Sequence, residues 1–166
     1  IKILYDNPRD VGADRIVDAA AGFRLYGGPL IIVDFGTGTV FDGISVHGEY
    51  LGGAIAPGVR VAAESLFTAA SQLRRIELIA PKTAIGKNTT HAMQAGVILG
   101  YADLVEGMVE RFKLELGQDA KVVATGGLAP LIASETPVFN AVNLDLTLLG
   151  LRMIYDLNAS DGSDKV

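Results

Sequence analysis

The run LIIV followed by Asp34, at residues 30–34, most constrains the fold of this chain. Such a continuous apolar run is too short for a helix and indicates a strand buried on both faces. The glycine-rich sequence FGTGT follows and indicates a tight turn. Residues 40–46 and 50–56 alternate as two further strands, joined by a hairpin turn at residues 47–49. Three strands connected by tight turns therefore begin the predicted sheet.

Helical periodicity predicts helices at residues 11–25, 57–73, 89–116, 128–133 and 144–157. Apolar runs predict short strands at residues 1–4, 76–79 and 121–124, with a further strand near Val138. From residue 30 the order is a three-strand meander followed by αβαβα. This α/β order is similar to one domain of the actin-like, sugar-kinase-type ATPases, in which the nucleotide lies between two such domains.

Only one such domain is complete in the chain. We expect residues 1–29 to be the remnant of an N-terminal domain with its linking helix. Residues 30–158 are predicted to form the C-terminal actin-like ATPase domain, and the polar residues 159–166 a disordered tail.

Composition narrows the classes of function. The net charge is −5 and no basic run is present, which argues against a nucleic-acid surface. No cysteine is present, so disulfides and cysteine-based zinc sites are excluded. The two histidines, His47 and His91, lack ligand spacing and are predicted to lie on the surface. No apolar run is long enough to cross a membrane, so we expect a cytoplasmic protein without a membrane partner.

Two motifs offer groups for phosphate chemistry. Asp34 ends a buried strand at a glycine turn whose N–H groups and threonine hydroxyls can bind phosphate, and Asp34 itself can hold a cation. The alternative is a hairpin turn with a capping aspartate. At the start of the first helix, Asp14 can act as a general base, with Arg15 positioning an anionic substrate. Helix capping alone also explains an aspartate there.

Two further motifs are each open to two interpretations. Gly126 and Gly127 follow a buried strand and can let the backbone approach a flat ligand such as adenine, or simply form a strand-to-helix turn. The sequence GKNT at residues 86–89 is not a Walker loop, because Pro81 stands where the first glycine is required. Thr89 can be the N-cap of the following helix or a ligand contact.

The order of the motifs is more specific than any one of them. The sequence reads YxNP at residues 5–8, GADR at 12–15, DFGT at 34–37, LGGAIxPG at 51–58, GKNT at 86–89 and TGG at 125–127. LxGL at 148–151 and Asn158 fit the same pattern. This order resembles the type III pantothenate kinases from residue 5 to residue 158.

The resemblance implies ATP-dependent phosphorylation of pantothenate to 4'-phosphopantothenate, the first step of coenzyme A biosynthesis. It implies that Asp14 is the base that accepts the proton of the pantothenate hydroxyl. The residues that would contact pantothenate are Tyr5, Gly12, Ala13, Asp14 and Arg15, with Thr89 reaching it across the interface of a homodimer. The residues that would contact ATP are Gly36, Thr37, Gly38, Thr39, Gly126 and Gly127. Asp34 would bind a monovalent cation, potassium or ammonium, and magnesium would accompany ATP.

The sequence departs from the family pattern in two places. Gly38 and Val40 replace an alanine and a threonine of the usual DFGTATT motif, and leave Asp34 and Thr37 in place. The chain also has no Asp-x-Gly-Asn-Thr hairpin, with which members of the family bind phosphate. We therefore expect the chain to be part of a kinase and to be inactive alone, because phosphoryl transfer depends on positioning and charge stabilisation.

Two other functions compete with this one. Another kinase of the sugar-kinase superfamily would share the DFGT and TGG turns, but it leaves YxNP and GADR unexplained. A regulatory or assembly homologue without catalytic activity would need only the dimer core. It gives no physical reason for retaining Asp14, Asp34, Thr37 and Thr89.

Overall fold

A computed structural model describes residues 1–70 and 72–161, which form a mixed five-stranded sheet in the order β3-β2-β1-β4-β5. The strands are β1 Leu30–Phe35, β2 Gly38–Ile44, β3 Tyr50–Pro57, β4 Lys121–Thr125 and β5 Ala141–Val142. The α-helices are α1 Ala13–Tyr26, α2 Val59–Ala69, α3 Thr89–Gln94, α4 Gly100–Leu116, α5 Ala129–Ala133 and α6 Leu146–Asp161. A 3₁₀ turn spans Pro8–Asp10 and a π-helical turn spans Ala95–Leu99.

The predicted meander is confirmed. Strand β2 pairs antiparallel with both β1 and β3, whereas β4 runs parallel to β1 and to β5. The first four residues of β1 are completely buried, as the continuous apolar run predicted. The parallel neighbours β1 and β4 therefore end at the same edge of the sheet.

Helices cover both faces of the central strand. Ile31, Val33 and Phe35 belong to one apolar core, which includes side chains of α2 and α4. Leu30 and Ile32 belong to the other, which includes side chains of α1 and α6. Because successive side chains of a strand point to opposite faces, β1 contributes to both cores.

The segment predicted as one helix at residues 89–116 is helical throughout, but a π-helical turn at Ala95–Leu99 separates α3 from α4. Three glycines along it, Gly96, Gly100 and Gly107, are exposed, and the space where a Cβ would lie is open at each. They leave a smooth outer surface on this helical segment.

Residues 76–79 do not form the predicted strand. Leu78 packs against the core. The carbonyl of Glu77 accepts a hydrogen bond from Gln94 Nε2 at 3.0 Å, so a side chain rather than a neighbouring strand is its partner. Near the start of the chain, residues 1–4 make one isolated bridge, from Ile3 to Tyr50. The strand predicted near Val138 lies slightly later, at Ala141–Val142.

Helix α2 ends at Ala69, before the predicted residue 73. Helix α6 extends to Asp161, three residues into the segment that the sequence predicted to be a disordered tail. Residues 162–166 of that segment lie outside the described residues. No helix in the described part of the chain is long and apolar enough to cross a membrane.

Candidate active site

The edge where β1 and β4 end brings two of the glycine motifs together. Asp34 and Thr125 are direct partners in the parallel ladder, so the DFGT and TGG turns lie side by side. Gly126 has φ +88°, and a Cβ there would collide with the Asp34 carboxylate and the Phe35 backbone. Glycine is therefore required at this position both by its backbone conformation and by the closeness of β1.

Gly58, directly after the end of β3, lies against the turn after β1 at the same edge. The N–H of Gly58 donates to the carbonyl of Thr37 at 3.1 Å, and a Cβ at Gly58 would collide with that carbonyl. Gly36 and Thr37 are exposed, as is Gly127, whose Cβ position is open. The edge thus presents exposed backbone that a phosphate or a flat ring can approach closely.

A pocket of about 280 Å³ lies between this edge and the start of α1. Five carboxylates and one guanidinium line it, together with Gly12, Val40 and Ile55. The charged residues are Asp10, Asp14, Asp18, Asp34, Asp42 and Arg15. The pocket therefore carries an excess of negative charge when its carboxylates are ionised.

Asp14 lies exposed at the second position of α1, where its Oδ1 accepts the backbone N–H of Arg15 at 2.9 Å. Asp34 lies across the pocket at the end of β1. Burial raises the pKa of Asp34, and the charges of Asp14 and Asp42 raise it further. The expected base and the expected cation ligand are thus close enough to interact electrostatically.

Arg15 does not extend into solvent but forms an ion pair with Asp42 on β2. Its Nε and Nη2 donate to Asp42 Oδ1 at 2.9 and 2.7 Å, and the Tyr50 hydroxyl donates to the same oxygen at 2.8 Å. Neither Asp42 nor Tyr50 was predicted from the sequence as a site residue. The available signal was a charged residue inside the otherwise apolar strand VFDGI.

Asp18 was also missed, although it lies one helical turn after Asp14. It is only 4% exposed, and its Oδ1 has no hydrogen-bond partner among the described residues. Burial raises the pKa of Asp18 to about 6, and the charges of Asp34, Asp42 and Asp14 add to the rise. A hydrogen bond with Thr147 lowers the pKa and offsets part of this rise.

The other predicted contacts lie elsewhere. Tyr5 packs near Tyr50, with ring centroids 6.3 Å apart, and does not line the pocket. Thr39 is completely buried in β2, and its hydroxyl has no partner among the described residues. A buried hydroxyl is not accessible to a ligand at the surface of the turn. The contact between Thr39 and ATP therefore stays a prediction.

Thr89 does not line the pocket either. It is not the N-cap that the sequence allowed: Asn88 is the N-cap of α3, and its Oδ1 accepts the His91 N–H at 2.9 Å. Asn88 has the extended backbone of an N-cap residue, and its side-chain oxygen reaches back to the first turn of α3. His47 and His91 are both exposed, as predicted.

No group of three or more His, Asp or Glu side chains within residues 1–70 and 72–161 is placed to hold a metal ion. A cation beside Asp34 would need ligands other than a cluster of such side chains, for example backbone carbonyls. The neighbouring carboxylates that raise its pKa also favour a positive charge beside it, so the residues present fit a monovalent cation.

Solved structures with this architecture confirm the fold class. A Baf family transcriptional activator from Campylobacter jejuni is similar with a TM-score of 0.68 and 23% identity, over 95% of this chain and 70% of that one. The activator of 2-hydroxyisocaproyl-CoA dehydratase from Clostridium difficile, solved with ADPNP, is similar with a TM-score of 0.58 and 12% identity, over 92% and 69%. Both have the actin-like ATPase fold, and at these identities they show the fold alone.

Sequence comparison is more specific. The family model described as type III pantothenate kinase matches residues 1–111. Proteins named type III pantothenate kinase from Roseiflexus sp. (strain RS-1) and Geobacillus kaustophilus are 57% and 56% identical, over 96% and 95% of this chain. The one from Streptomyces griseus is 52% identical over 96% of it. The chain spans 63%, 61% and 62% of these three relatives. It belongs to the type III pantothenate kinase family.

Proposed function

We propose that the protein carrying this chain phosphorylates pantothenate with ATP to give 4'-phosphopantothenate. The observation that carries the proposal is the pocket that places Asp14 opposite Asp34, beside the exposed backbone of the DFGT and TGG turns. In a member of this family, that arrangement offers a base, a cation ligand and a phosphate-facing edge in one place.

The proposed reaction begins with pantothenate in the pocket, its hydroxyl next to Asp14. The hydroxyl oxygen attacks the γ-phosphorus of ATP while its proton passes to the Asp14 carboxylate. A P–O bond forms to pantothenate, the bond to the β-phosphate oxygen breaks, and ADP leaves. Asp14 suits the role of base because it is exposed and lines the pocket, while its Oδ1 accepts the backbone N–H of Arg15.

The nucleotide is proposed to lie along the strand edge. Gly36 and Thr37 form the turn after β1, Gly38 begins β2, and Gly126 and Gly127 form the adjacent turn after β4. Glycine at these positions lets backbone N–H groups approach phosphate or adenine without a side chain between them. Magnesium is proposed to accompany ATP, where it supplies positive charge to the phosphates.

The active form is proposed to be a cytoplasmic homodimer in which Thr89 of one copy reaches pantothenate bound to the other. Thr89 is exposed at the start of α3 and does not line the pocket of its own chain, as a residue serving the other copy requires. The open glycine surface of the π-helical turn and α4 supports a close approach of two helices.

The first test is an Asp14→Asn substitution in the full protein, measured as pantothenate-dependent release of ADP. The amide keeps the shape of the carboxylate but accepts no proton, so we expect turnover to fall by about 10²–10⁴-fold. Asp119→Asn is the matched control, because Asp119 is an exposed aspartate between α4 and β4 and does not line the pocket. Retention of more than half of the activity by Asp14→Asn would reduce Asp14 to a capping residue.

The second test concerns the cation at Asp34. We expect activity to require potassium or ammonium and to respond poorly to sodium, because a hard monovalent ion beside Asp34 offsets the phosphate charge. Asp34→Ala should remove this dependence together with most of the activity. Equal turnover in sodium and potassium buffers of matched ionic strength would contradict the cation site.

A regulatory or assembly homologue remains the competing function. It predicts a dimer that releases no ADP with pantothenate, even with all relevant cations present. A sugar kinase predicts ADP release with a sugar and none with pantothenate. A panel of acceptors tested on one preparation of the full protein therefore separates the three possibilities.

A further inference from the structure

The ion pair between Arg15 and Asp42 is nearly dry. The two side chains are 11% and 3% exposed, and one carboxylate oxygen accepts all three hydrogen bonds from Arg15 and Tyr50. A buried ion pair seldom stabilises a fold more than apolar packing of the same volume would. Its position on the wall of the proposed substrate pocket therefore points to a role in the site.

Asp42 occupies only part of the hydrogen-bonding capacity of Arg15. An arginine side chain carries five N–H donors in a rigid plane, and the pair with Asp42 uses Nε and one donor of Nη2. Because the guanidinium is planar and rigid, the contacts with Asp42 also fix the directions of the three remaining N–H donors. Those of the remaining donors that face the pocket, which Arg15 lines, would meet a ligand in one orientation.

The Tyr50 ring and the backbone of β3 also limit the orientation of the Arg15 guanidinium. The Arg15 guanidinium carbon lies 5.7 Å from the centroid of the Tyr50 ring, within cation–π range. On β3, a Cβ at Gly53 would lie 2.6 Å from Arg15 Nη2 and 2.9 Å from Asp42 Oδ1. The absence of a side chain at Gly53 thus leaves the space that the ion pair occupies.

The pairing also changes what Arg15 can offer a substrate. Burial alone would lower the pKa of Arg15, but the hydrogen bond and charge of Asp42 outweigh it and the net shift is upward. Arg15 therefore stays charged, with much of its field compensated by Asp42. The sequence predicted that Arg15 positions an anionic substrate; in the structure its guanidinium is already paired with the Asp42 carboxylate.

We propose that Asp42 and Tyr50 are positioning residues, which fix the Arg15 guanidinium so that its remaining N–H donors bind pantothenate in one orientation. The proposal rests on the proposed function. It assigns Asp42 and Tyr50 an effect on the affinity for pantothenate, exerted through Arg15, and none on the affinity for ATP.

The test compares Tyr50→Phe and Asp42→Asn in the full protein, with KM for pantothenate, KM for ATP and kcat measured separately. Tyr50→Phe removes one hydroxyl and keeps the ring against Arg15, so we expect a rise in the pantothenate KM of about 3–10-fold. Asp42→Asn loses a charge-assisted bond, and we expect a rise of about 10–100-fold. In both variants kcat and the ATP KM should change less than twofold.

Tyr26→Phe is the matched control, since its half-buried hydroxyl accepts a hydrogen bond from Asn143 and lies outside the pocket. It should leave all three constants unchanged. Should Asp42→Asn fail to fold, Tyr50→Phe decides alone. A pantothenate KM in Tyr50→Phe equal to that of Tyr26→Phe, or an equal rise in the ATP KM, would overturn the proposal.

A direct readout separates this proposal from the proposed function. The Arg15 Nε–H signal in a ¹⁵N NMR spectrum should be protected from solvent exchange in the wild type and lose that protection in Asp42→Asn. If the wild type phosphorylates no pantothenate, the proposed function fails and this signal alone decides the positioning role. Equal, fast exchange in the wild type and in the variant would overturn it.

Discussion

The strand side and the helix side of the pocket differ in which groups form them, backbone on one side and charged side chains on the other. On the strand side, the turns after β1 and β4 approach each other through backbone, and Gly126 leaves no room for a side chain. On the helix side, α1 presents Asp14, Asp18 and Arg15, which are held or crowded by other charged groups. Apart from Asp34 and Asp42, which β1 and β2 contribute to the pocket, the strand side therefore depends on shape, whereas the helix side depends on charge. Substitutions on the two sides should therefore change the stability of the protein for different physical reasons.

The largest effect is expected on the strand side, from Gly126→Ala. The substitution places a side chain at φ +88°, directly against the Asp34 carboxylate and the Phe35 backbone. Left-handed strain and overpacking together should lower the free energy of unfolding by about 3–5 kcal/mol. Denaturant unfolding of the purified variant measures this loss.

Gly127→Ala is its neighbour and control. The Cβ position of Gly127 is open, and its φ is not positive, so the change in unfolding free energy should stay within about 0.5 kcal/mol. Similar stability of the two variants would show that Gly126 is not held against β1 as described.

The strand side was largely predictable from sequence because its signals are local. A buried strand followed by a glycine turn marks both Asp34 and Gly126, and the parallel β1–β4 pairing follows from the order of elements. The helix side was not, because Arg15 and Asp42 are separated by 27 residues and meet only through the tertiary fold. The aspartate within the apolar strand VFDGI marks Asp42 as unusual, but no local pattern assigns Arg15 as its partner.

The same limit explains the error at residues 76–79. The local apolar pattern there is that of a strand, but the segment is not one of the five strands of the described sheet, whose order is β3-β2-β1-β4-β5. Leu78 contributes to the core without a ladder. Periodicity predicts which side chains are buried more reliably than it predicts how the backbone is bonded.

A smaller effect, opposite in sign, is expected on the helix side from Asp18→Asn. The pKa of Asp18 is about 6 in the folded protein and 3.8 ordinarily, so the folded state binds more protons between these values. Stability should therefore fall as the pH rises from about 4 to about 6, and remain lower above it. Asparagine removes the buried charge and should stabilise the protein by about 2 kcal/mol at pH 7.5, and little at pH 4.

Thermal unfolding at the two pH values, compared with Asp119→Asn, isolates the contribution of Asp18. Substitution of the exposed Asp119 should change the stability only slightly at either pH. A stabilisation by Asp18→Asn that is equal at pH 4 and pH 7.5 would mean that the charge of Asp18 is already compensated. The description of the helix side as crowded by charge would then be wrong.

The smallest effect is expected from Gly107→Ala, on a glycine that is neither strained nor crowded. Gly107 lies exposed within α4 with open space around its Cβ position. Alanine should stabilise the helix by about 0.5–1 kcal/mol. Gly117, which ends the same helix at φ +111°, should respond in the opposite direction, losing about 1 kcal/mol as alanine.

The same pair of variants tests the proposed homodimer. If the glycine surface of α4 faces a second copy of the chain, the added methyl group at Gly107 separates the two helices, and the dimer dissociation constant rises even though each copy is more stable. Gly117→Ala lies at the helix end and should leave that constant unchanged. Light scattering over a dilution series, alongside unfolding at high concentration, measures the two effects separately. Gly107→Ala that stabilises the protein without weakening association would place the interface elsewhere.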